Sequence, residues 1–384
     1  MEENCPGIDH FLYRKATKET ADAMAWVFRS KDEFLPYYFT FPEMQPDEFR
    51  GRILYTGLCH SDVSNPKGEW GPCTYPICPG HEVICEVTHI GPSVKNLKVG
   101  DIVGYGPFRK SCFNCKPCKK GADNICQGLP LVERLIYSRY FGGWCTHLQQ
   151  PADHAIPLPK GMDLETIPPL LCAGVTVFAP MHRHIKEKGA VVAIIGIGGL
   201  GHLAIQYAKA LGCHVVAVTT NYAKQDDCKK FGASEVILCD QQYEALKNHR
   251  EKFDYIVNTL YVEPKAVEIF VDSLVWGGSL IQLGIPANTH KMELSFKWVS
   301  FKQITIYGSQ VGSIKETTDC LEYAKSHKIH VEAEKYSFEE LPRALDKLEN
   351  SRPFYRCVVN VKDFVDKNFP KESERAPVIS KHTA

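Results

Sequence analysis

The middle of the chain shows an alternation of apolar and amphipathic segments that is typical of a parallel β-sheet covered by helices. Residues 190–196 form a continuous apolar run, which predicts a strand buried on both faces. Apolar residues then recur at helical spacing until Gly212, which predicts a helix that ends there. Further strands are predicted at 213–219, 253–260 and 278–285. The pattern predicts a doubly wound α/β domain of the Rossmann type.

The first half of the chain has a different pattern, with short β-type runs separated by glycine and proline. Such runs occur at 51–55, Val83–Ile90 and Ile102–Tyr105, and they predict a β-rich, partly barrel-like domain. After about Gly312 the pattern is helical again, and it ends in a strand-like run at 355–361. The α/β domain is therefore predicted to be inserted between two parts of the β-rich domain, with a site in the cleft between them.

These changes of pattern set the predicted domain boundaries. A chain of 384 residues is long enough for two hydrophobic cores. The predicted units are a β-rich domain at 1–172, a Rossmann domain at 173–312, a return to the β-rich domain at 313–363 and a flexible polar tail at 364–384.

The charge and composition of the chain argue against certain binding partners and indicate its cellular location. Lys plus Arg equals Asp plus Glu at 45 each, so neither nucleic acid nor an anionic membrane is expected as a partner. No apolar run reaches membrane-spanning length, and the N-terminal residues MEENCPGIDHF lack the pattern of a signal peptide. The expected location is therefore the cytoplasm. In that compartment the 16 cysteines indicate metal binding rather than disulfides.

Four of these cysteines lie close together, in the spacing Cys112-x2-Cys115-x2-Cys118-x7-Cys126. Four thiolates can surround one Zn²⁺ ion tetrahedrally and leave no open position, which predicts a structural zinc site. An iron–sulfur cluster accepts the same ligands, and a disulfide-bonded loop is a further alternative. A zinc finger that binds nucleic acid is a third alternative. The basic residues around the loop are explained more simply as an ordinary solvent-exposed surface.

A glycine-rich turn follows the predicted strand at 190–196 and opens the predicted helix. It consists of Gly196, Ile197, Gly198, Gly199, Leu200 and Gly201. In this context the glycines allow a tight turn, the approach of a pyrophosphate to the backbone, and close packing of helix on strand. The helix N-terminus then faces the phosphates. The turn predicts dinucleotide binding, with a plain glycine loop as the alternative.

The end of the second predicted strand indicates which dinucleotide binds. Proteins that bind NAD usually place Asp or Glu there for the ribose hydroxyls, whereas this chain has Thr219, Thr220 and Asn221, followed by Lys224. Small hydrogen-bonding side chains and a nearby cation suit a 2′-phosphate, which favours NADP(H). The alternative is that Lys224 is an ordinary solvated helix residue.

Three further motifs contain candidate metal ligands. Cys59 lies in GLCHSDV, His81 and Glu82 are adjacent in PGHEV, and Cys172 lies in LLCAGVT. A catalytic zinc needs three protein ligands and one open position, and two thiolates with an imidazole would balance the charge of Zn²⁺. Spacing alone does not connect these residues, because a lone buried cysteine or histidine is ordinarily part of a core.

The order and intervals of these motifs resemble the cinnamyl alcohol dehydrogenase branch of the zinc-dependent medium-chain alcohol dehydrogenases. The shared motifs are GLCHSD, GEWG…YP…PGHE, the four-cysteine loop, LLCAGVT and GIGGLGH. The resemblance implies a GroES-like catalytic domain beside a Rossmann domain, two Zn²⁺ ions per chain, and a homodimer joined through the nucleotide domains. It also implies reversible hydride transfer between NADP(H) and a primary alcohol or aldehyde, with aromatic, cinnamyl-type compounds among the candidate substrates.

The resemblance further implies roles for residues around the metal. Cys59, His81 and Cys172 match the catalytic zinc ligands of the family. Glu82 matches the neighbouring carboxylate that approaches the metal during ligand exchange. Asp62 matches a carboxylate whose physical role would be to orient a zinc-bound imidazole.

Other positions match residues that handle the proton and the cofactor. Ser61 matches the hydroxyl that first receives the alcohol proton in a relay to solvent. His60 matches a residue that contacts the cofactor pyrophosphate and extends this relay. Gly308, Ser309 and Gly312 match a segment that passes near the nicotinamide and leads back to the catalytic domain.

The chain departs from the family pattern at 129–145. The family's GGF-type segment appears here as FGGWC at 141–145, and the stretch before it is unfamiliar. Because that stretch and Trp70 are expected to shape the substrate pocket, a specialised carbonyl or iminium reductase on the same fold is the nearest alternative. A catalytically silent NADPH-binding scaffold is a more distant alternative. It would be marked by loss of a zinc ligand or of the relay serine, and all of these are present.

Overall fold

The structure is a computed structural model that describes residues 13–137, 140–285, 290–351 and 353–369. The N-terminal residues 1–12, on which the expectation of no signal peptide depends, lie outside the described residues. So do Ser138 and Arg139 of the unfamiliar segment, and residues 370–384 of the predicted tail.

The N-terminal part of the chain consists mainly of antiparallel strands. These are β1 (Arg14–Lys15), β2 (Ala23–Ser30), β3 (Glu33–Thr40), β4 (Glu48–Leu58), β5 (Val83–Ile90), β6 (Ile102–Tyr105), β7 (His147–Pro151) and β8 (Ala155–Pro157). Three short helices connect them, namely α1 (Ser61–Ser64), α2 (Lys116–Lys119) and α3 (Leu131–Arg134). The first three strands form a small sheet in the order β1-β3-β2, whereas β4 pairs with β5 and with β7 in a larger sheet.

The middle of the chain forms a parallel six-stranded sheet in the order β11-β10-β9-β12-β13-β14. Its strands are β9 (Val191–Ile195), β10 (His214–Thr219), β11 (Glu235–Leu238), β12 (Phe253–Asn258), β13 (Leu274–Gln282) and β14 (Thr305–Gly308). Its helices are α4 (Ala173–His184), α5 (Gly201–Ala210), α6 (Gln225–Lys230), α7 (Pro264–Ser273) and α8 (Phe296–Phe301). The strand order reverses between β9 and β12, which is where such sheets bind nucleotides.

Both faces of this sheet are covered, as the continuous apolar run of β9 predicts. Ile194 packs in a core with Leu203 of α5, while its neighbour Ile195 packs in the opposite core with Phe270 of α7. Successive side chains of a strand point to opposite faces, so one apolar run serves both cores. Packing on both faces thereby fixes the position of the sheet and of its carboxyl edge.

The chain then returns to the larger antiparallel sheet. Its last elements are α9 (Ile314–Ser326), β15 (Ala333–Ser337), α10 (Leu341–Asp346), β16 (Arg356–Asn360) and α11 (Lys362–Asn368). Strand β16 pairs antiparallel with β4, in the order β15-β16-β4-β5-β6-β8. The predicted tail differs from the structure at its start, because α11 occupies 362–368 and Val365 and Phe369 are buried.

Short helical turns complete the connections. Turns of 3₁₀ type lie at Asp123–Ile125, Ala152–His154, Pro168–Leu171, Tyr222–Lys224, Glu244–His249 and Phe338–Glu340, and a π-type turn lies at Lys347–Ser351. Over the part of the chain that the structure describes, the helices are all too short or too polar to cross a membrane.

Candidate active site

Four of the predicted ligands converge where β4 ends and β5 begins. Cys59 directly follows β4, His81 and Glu82 directly precede β5, and Cys172 directly precedes α4. Because β4 and β5 are antiparallel neighbours, the end of one meets the start of the other. One ligand atom from each of the four residues lies within 4.8 Å of all the others, and all four residues are buried. Two sulfurs and a ring nitrogen at these distances suit a tetrahedral metal ion with one open position.

Asp62 fixes the orientation of His81. Its Oδ1 lies 2.8 Å from His81 Nδ1 and also accepts the N–H of Gly80 at 2.8 Å. Its Oδ2 accepts the N–H of Cys59 at 3.0 Å, so one buried carboxylate connects two of the ligands. His81 Nε2 lies 3.2 Å from Cys172 Sγ. A neutral His81 that donates its Nδ1–H to Asp62 therefore presents Nε2 to a metal ion.

The pKa values in the cluster follow from burial and close contact. A hydrogen bond from the Cys172 thiol holds the pKa of Cys59 well below its usual value, against the effect of burial. The same hydrogen bond, together with burial, raises the pKa of Cys172. Burial lowers the pKa of His81, but the charge and hydrogen bond of Asp62 outweigh burial and raise that pKa overall. Cys59 is therefore the first of the two thiols to become the thiolate that a metal requires.

Arg356 is a residue of this site that the sequence analysis did not name. It begins β16, and its Nη2 donates a hydrogen bond to Oε1 of Glu82, with both side chains buried. Burial raises the pKa of Glu82 to about 7, although the Arg356 charge opposes this. Glu82 Oε2 has no hydrogen-bond partner among the described residues. The signal available in the sequence was Glu82 itself, since a buried carboxylate requires a cation.

Ser61 and His60 lie on the solvent side of the cluster. Ser61 Oγ is 3.6 Å from Cys59 Sγ, and Ser61 is half-buried. His60 precedes α1 and is exposed. The proton relay through these two side chains stays a prediction.

The four-cysteine loop forms a second cluster. One sulfur from each of its members lies within 4.8 Å of the other three, the members being Cys112, Cys115, Cys118 and Cys126. Backbone N–H groups point at these sulfurs. Those of Asn114 and Cys115 donate to Cys112 Sγ at 3.5 and 3.3 Å, and that of Gln127 donates to Cys115 Sγ at 3.3 Å. The backbone N–H of Cys118, together with that of Gln127, lowers the pKa of Cys115 to about 6 against the effect of burial. All four cysteines are free thiols, which does not fit the disulfide-bonded alternative.

The glycine-rich turn has the geometry that its sequence predicts. Gly196 has φ +85°, a backbone conformation that favours glycine. A Cβ on Gly201 would lie 2.0 Å from the carbonyl oxygen of Gly196, so close packing of α5 on the turn requires glycine there. A Cβ on Gly198 would meet no atom within 4 Å, which leaves its backbone open to a phosphate. On the other side, a Cβ on Gly199 would lie 2.9 Å from Cδ of Arg356.

The last residue of β10 and the residues directly after it lie beside this turn. Thr219 Oγ1 accepts the N–H of Asn221 at 3.1 Å, and Asn221 Oδ1 caps the next short helical turn. Thr220 is half-buried between them. Lys224 Nζ donates to the carbonyl oxygen of Ile197 in the glycine-rich turn at 2.7 Å. The cation that sequence analysis connects with a 2′-phosphate is therefore held at the turn rather than in bulk solvent.

Ser309 directly follows β14. Its Oγ accepts a hydrogen bond from Arg183 Nη2 at 3.2 Å. Because all six strands are parallel, Ser309, Thr219 and the glycine-rich turn lie at the same carboxyl edge of the sheet. Strands β12 and β13 separate β14 from β9, so Ser309 lies along this edge from the turn.

The comparisons with known proteins agree with this arrangement. Residues 45–160 match the family "Alcohol dehydrogenase GroES-like domain", and residues 199–326 match the family "Zinc-binding dehydrogenase". Cinnamyl alcohol dehydrogenase 8 of Arabidopsis thaliana is 32% identical over 340 residues, which cover 87% of this chain and 93% of that protein. The chain belongs to the medium-chain alcohol dehydrogenases, in their cinnamyl alcohol dehydrogenase-like branch.

Solved structures of this family show the same fold as the present dehydrogenase. A cinnamyl alcohol dehydrogenase of Sorghum bicolor matches with a TM-score of 0.81 and 29% identity, covering 88% of this chain and 97% of that chain. A cinnamyl alcohol dehydrogenase of Helicobacter pylori, complexed with NADP(H), matches with a TM-score of 0.79 and 29% identity, covering 88% and 98%. The predicted fold class, a GroES-like unit with a Rossmann unit, is confirmed, and the chain is an oxidoreductase.

The unfamiliar 129–145 segment of this dehydrogenase reaches the cluster of Cys59, His81, Glu82 and Cys172. Leu135 pairs with Phe108 in an isolated β-bridge, and two residues later Tyr137 is buried with its ring centroid 5.9 Å from that of His81. The Tyr137 hydroxyl forms a hydrogen bond with the side chain of Asn65, and burial raises its pKa. Sequence analysis named the segment but neither Tyr137 nor Asn65.

Proposed function

We propose that this protein is a zinc-dependent alcohol dehydrogenase that transfers hydride reversibly between NADP(H) and a primary alcohol or aldehyde, with aromatic, cinnamyl-type compounds among its substrates. The observation that carries the proposal is the convergence of Cys59, His81 and Cys172, with Asp62 bonded to His81. This donor set fits a catalytic zinc, because it combines two thiolates with an imidazole whose tautomer is fixed.

In this proposal Cys59, His81 and Cys172 hold the catalytic Zn²⁺, which supplies a Lewis acid for the substrate oxygen. Asp62 keeps the His81 ring in place, and Tyr137 covers the ring from the side of the 129–145 segment. Glu82 Oε2, which has no hydrogen-bond partner among the described residues, is the oxygen that would approach the ion during ligand exchange.

Ser61 and His60 are the proposed path for the proton. Ser61 holds the proton that passes between the substrate oxygen and solvent, because its hydroxyl is beside Cys59 and half-buried. His60 is exposed and exchanges that proton with water. Proton transfer by a positioned side chain of this kind contributes about 10²–10⁴-fold to the rate.

The proposed cofactor is NADP(H), which carries the hydride. Its pyrophosphate would lie at the open backbone of Gly198, where a phosphate can approach. Lys224, with Thr219, Thr220 and Asn221, would hold the 2′-phosphate. The NADP(H) complex of the Helicobacter pylori relative supports this choice.

The four-cysteine loop would hold a second, structural Zn²⁺, since its four sulfurs leave no position for a substrate. We also propose a homodimer joined through the parallel sheet. Support comes from exposed apolar side chains near its β14 edge, where Phe296 is 90% exposed, Phe301 60% and Trp276 61%. The cytoplasmic location stays a prediction.

The test is an activity assay with the purified protein. NADPH and NADH oxidation are measured against a panel of aromatic and aliphatic aldehydes, beside the Cys59→Ala variant, with zinc counted in both. We expect turnover with NADPH that is lost in the variant, and about two zinc ions per wild-type chain. A fully zinc-loaded protein without turnover on any aldehyde would favour the silent scaffold, and turnover on imines alone would favour the iminium reductase.

A further inference from the structure

The turn at 309–313, between β14 and α9, has a strained backbone. Val311 has φ +50°, and left-handed backbone is unfavourable for a β-branched residue. The next residue, Gly312, is pressed against α4, since a Cβ there would lie 2.4 Å from Val175 Cγ2. A conformation of this kind persists only where the surrounding structure holds it.

Two side chains of the four-cysteine loop hold this turn. Asn124 Nδ2 donates to the carbonyl oxygen of Gln310 at 2.8 Å. Asp123 Oδ2 accepts the N–H of Ile314 at 3.2 Å. The two bonds therefore fix the backbone on both sides of Val311. Both side chains are buried, with Asp123 8% exposed and Asn124 4% exposed.

The loop in turn holds Asp123 and Asn124. Ser111 Oγ and the N–H of Cys126 donate to the carbonyl oxygen of Asp123 at 3.0 and 3.1 Å. Arg134 donates to the carbonyl oxygen of Asn124. Cys118 and Cys126 of the loop lie on either side of Asp123 and Asn124 in the sequence. The cluster of the four sulfurs therefore restricts the position of these two residues.

The other end of the turn is held by the nucleotide-binding part of the chain. Arg183 of α4 contacts both Ser309 and Glu316, the latter through Nε at 2.7 Å. Ser313 caps α9 in a reciprocal pair of bonds with Glu316. The turn is thus held between α4 and the four-cysteine loop.

We propose that Asp123 and Asn124 are positioning residues that hold the 309–313 turn in the conformation needed for cofactor binding. In this proposal the four-cysteine loop does more than stabilise itself, because it also fixes the backbone of the turn that follows β14 at the carboxyl edge of the parallel sheet. The reference to NADP(H) rests on the proposed function, whereas the contact between the loop and the turn does not depend on it.

The test uses four variants of the full-length, zinc-loaded protein. Asp123→Ala and Asn124→Ala remove one bond each. Asp123→Asn keeps an oxygen that accepts the N–H of Ile314, and Asn114→Ala changes an exposed side chain of the same loop as a control. Zinc content is measured first. Amide hydrogen exchange over 309–316 is then followed without cofactor, and the NADPH dissociation constant and the kcat and KM values are measured.

In both alanine variants we expect exchange over 309–316 to be about tenfold faster, and the NADPH dissociation constant to rise by a similar factor. KM for NADPH should rise more than kcat falls, with zinc content unchanged. Asp123→Asn and Asn114→Ala should behave as wild type. If Asp123→Ala loses its zinc, Asn124→Ala decides the outcome.

Unchanged exchange in the zinc-loaded alanine variants would overturn the inference, and so would faster exchange with unchanged NADPH binding. Failure of Asp123→Asn to restore wild-type exchange would also overturn it, because the accepting oxygen would then not be what matters. A wild-type protein that binds neither NADPH nor NADH would instead refute the proposed function and the cofactor role with it, while the exchange data still report on the contact.

Discussion

Gly57 of β4 and the Glu82 carboxylate lie so close together that no side chain fits at position 57. A Cβ on Gly57 would lie 2.0 Å from Glu82 Oε2. The N–H of Gly57 also donates to the carbonyl oxygen of Glu82 at 2.8 Å. With Oε1 bonded to Arg356 on the other side, the carboxylate is confined between the backbone of β4 and the first residue of β16.

Replacing this glycine should therefore disturb the metal centre. In Gly57→Ala we expect the new methyl group to displace the Glu82 side chain and to lower the free energy of unfolding by about 1–3 kcal/mol. Urea unfolding measures this, and aldehyde reduction should fall as well. The control is Gly106→Ala, where the nearest atom to a Cβ is 3.4 Å away. Equal unfolding free energies for the two variants would contradict the close packing at Gly57.

Removing the Asp62 charge should weaken the catalytic metal site alone. In Asp62→Asn we expect the zinc affinity of the Cys59, His81 and Cys172 site to fall by about 10–100-fold, because the negative charge that strengthens the bond to the His81 imidazole is lost. Titration with a zinc chelator measures this, with the four-cysteine site as an internal reference. Asp153→Asn changes an exposed carboxylate and should have no effect. Loss of both ions together would show that Asp62 supports the fold rather than one site.

Lys224 should discriminate between the two dinucleotides. Its ammonium group is held at the glycine-rich turn by Ile197, so Lys224→Ala should raise the NADPH dissociation constant by about tenfold or more and leave that of NADH nearly unchanged. Quenching of protein fluorescence measures both constants. Lys229→Ala, which changes an exposed lysine on α6, is the matched control. An equal loss of affinity for both cofactors would assign Lys224 to the turn and not to the 2′-phosphate.

His202 should make the protein less stable in acid. Burial lowers the pKa of His202 from 6.5 to about 3. Between these values the unfolded chain binds a proton that the folded chain does not. Stability therefore falls as the pH decreases below 6.5, by about 1.4 kcal/mol per pH unit for this residue.

The variant His202→Gln should lack this contribution. Unfolding free energies at pH 7.5 and 5.5 give the pH dependence of wild type and variant, and other titrating groups cancel when the two are compared. We expect the wild type to lose about 1 kcal/mol more than the variant between these pH values. Identical pH dependence would mean that His202 has the same pKa in the folded and the unfolded chain.

The local sequence pattern predicted several strands and one helix, because nearby residues determine where these elements begin and end. Strands Val83–Ile90 and Ile102–Tyr105 have their predicted limits, and β9, α5 and β10 follow one another as predicted. The hairpin of β2 and β3 was not predicted. Its connection, Lys31 and Asp32, contains none of the Gly or Asn residues that usually mark a tight hairpin turn.

Some residues of the candidate sites were predictable from sequence spacing, others only from the family resemblance, and others not at all. The four-cysteine loop follows from spacing, because its ligands are neighbours in the chain. Cys59, His81 and Cys172 followed only from the family resemblance, since tertiary structure brings them together. Arg356 and Tyr137 were not named. Their roles depend on which strand lies beside β4 and on where an unfamiliar segment packs, and neither is a local property.

The position of β16 beside β4 has a consequence for the synthesis of the protein. A nascent chain emerges from its N-terminus, so the proposed metal ligands and the whole parallel sheet leave the ribosome before Arg356 does. Until then Glu82 lacks its Arg356 partner, and the last residues of β4, 55–58, lack the strand that pairs with them. The larger antiparallel sheet, although its first strands are made before the parallel sheet, can therefore be completed only after it.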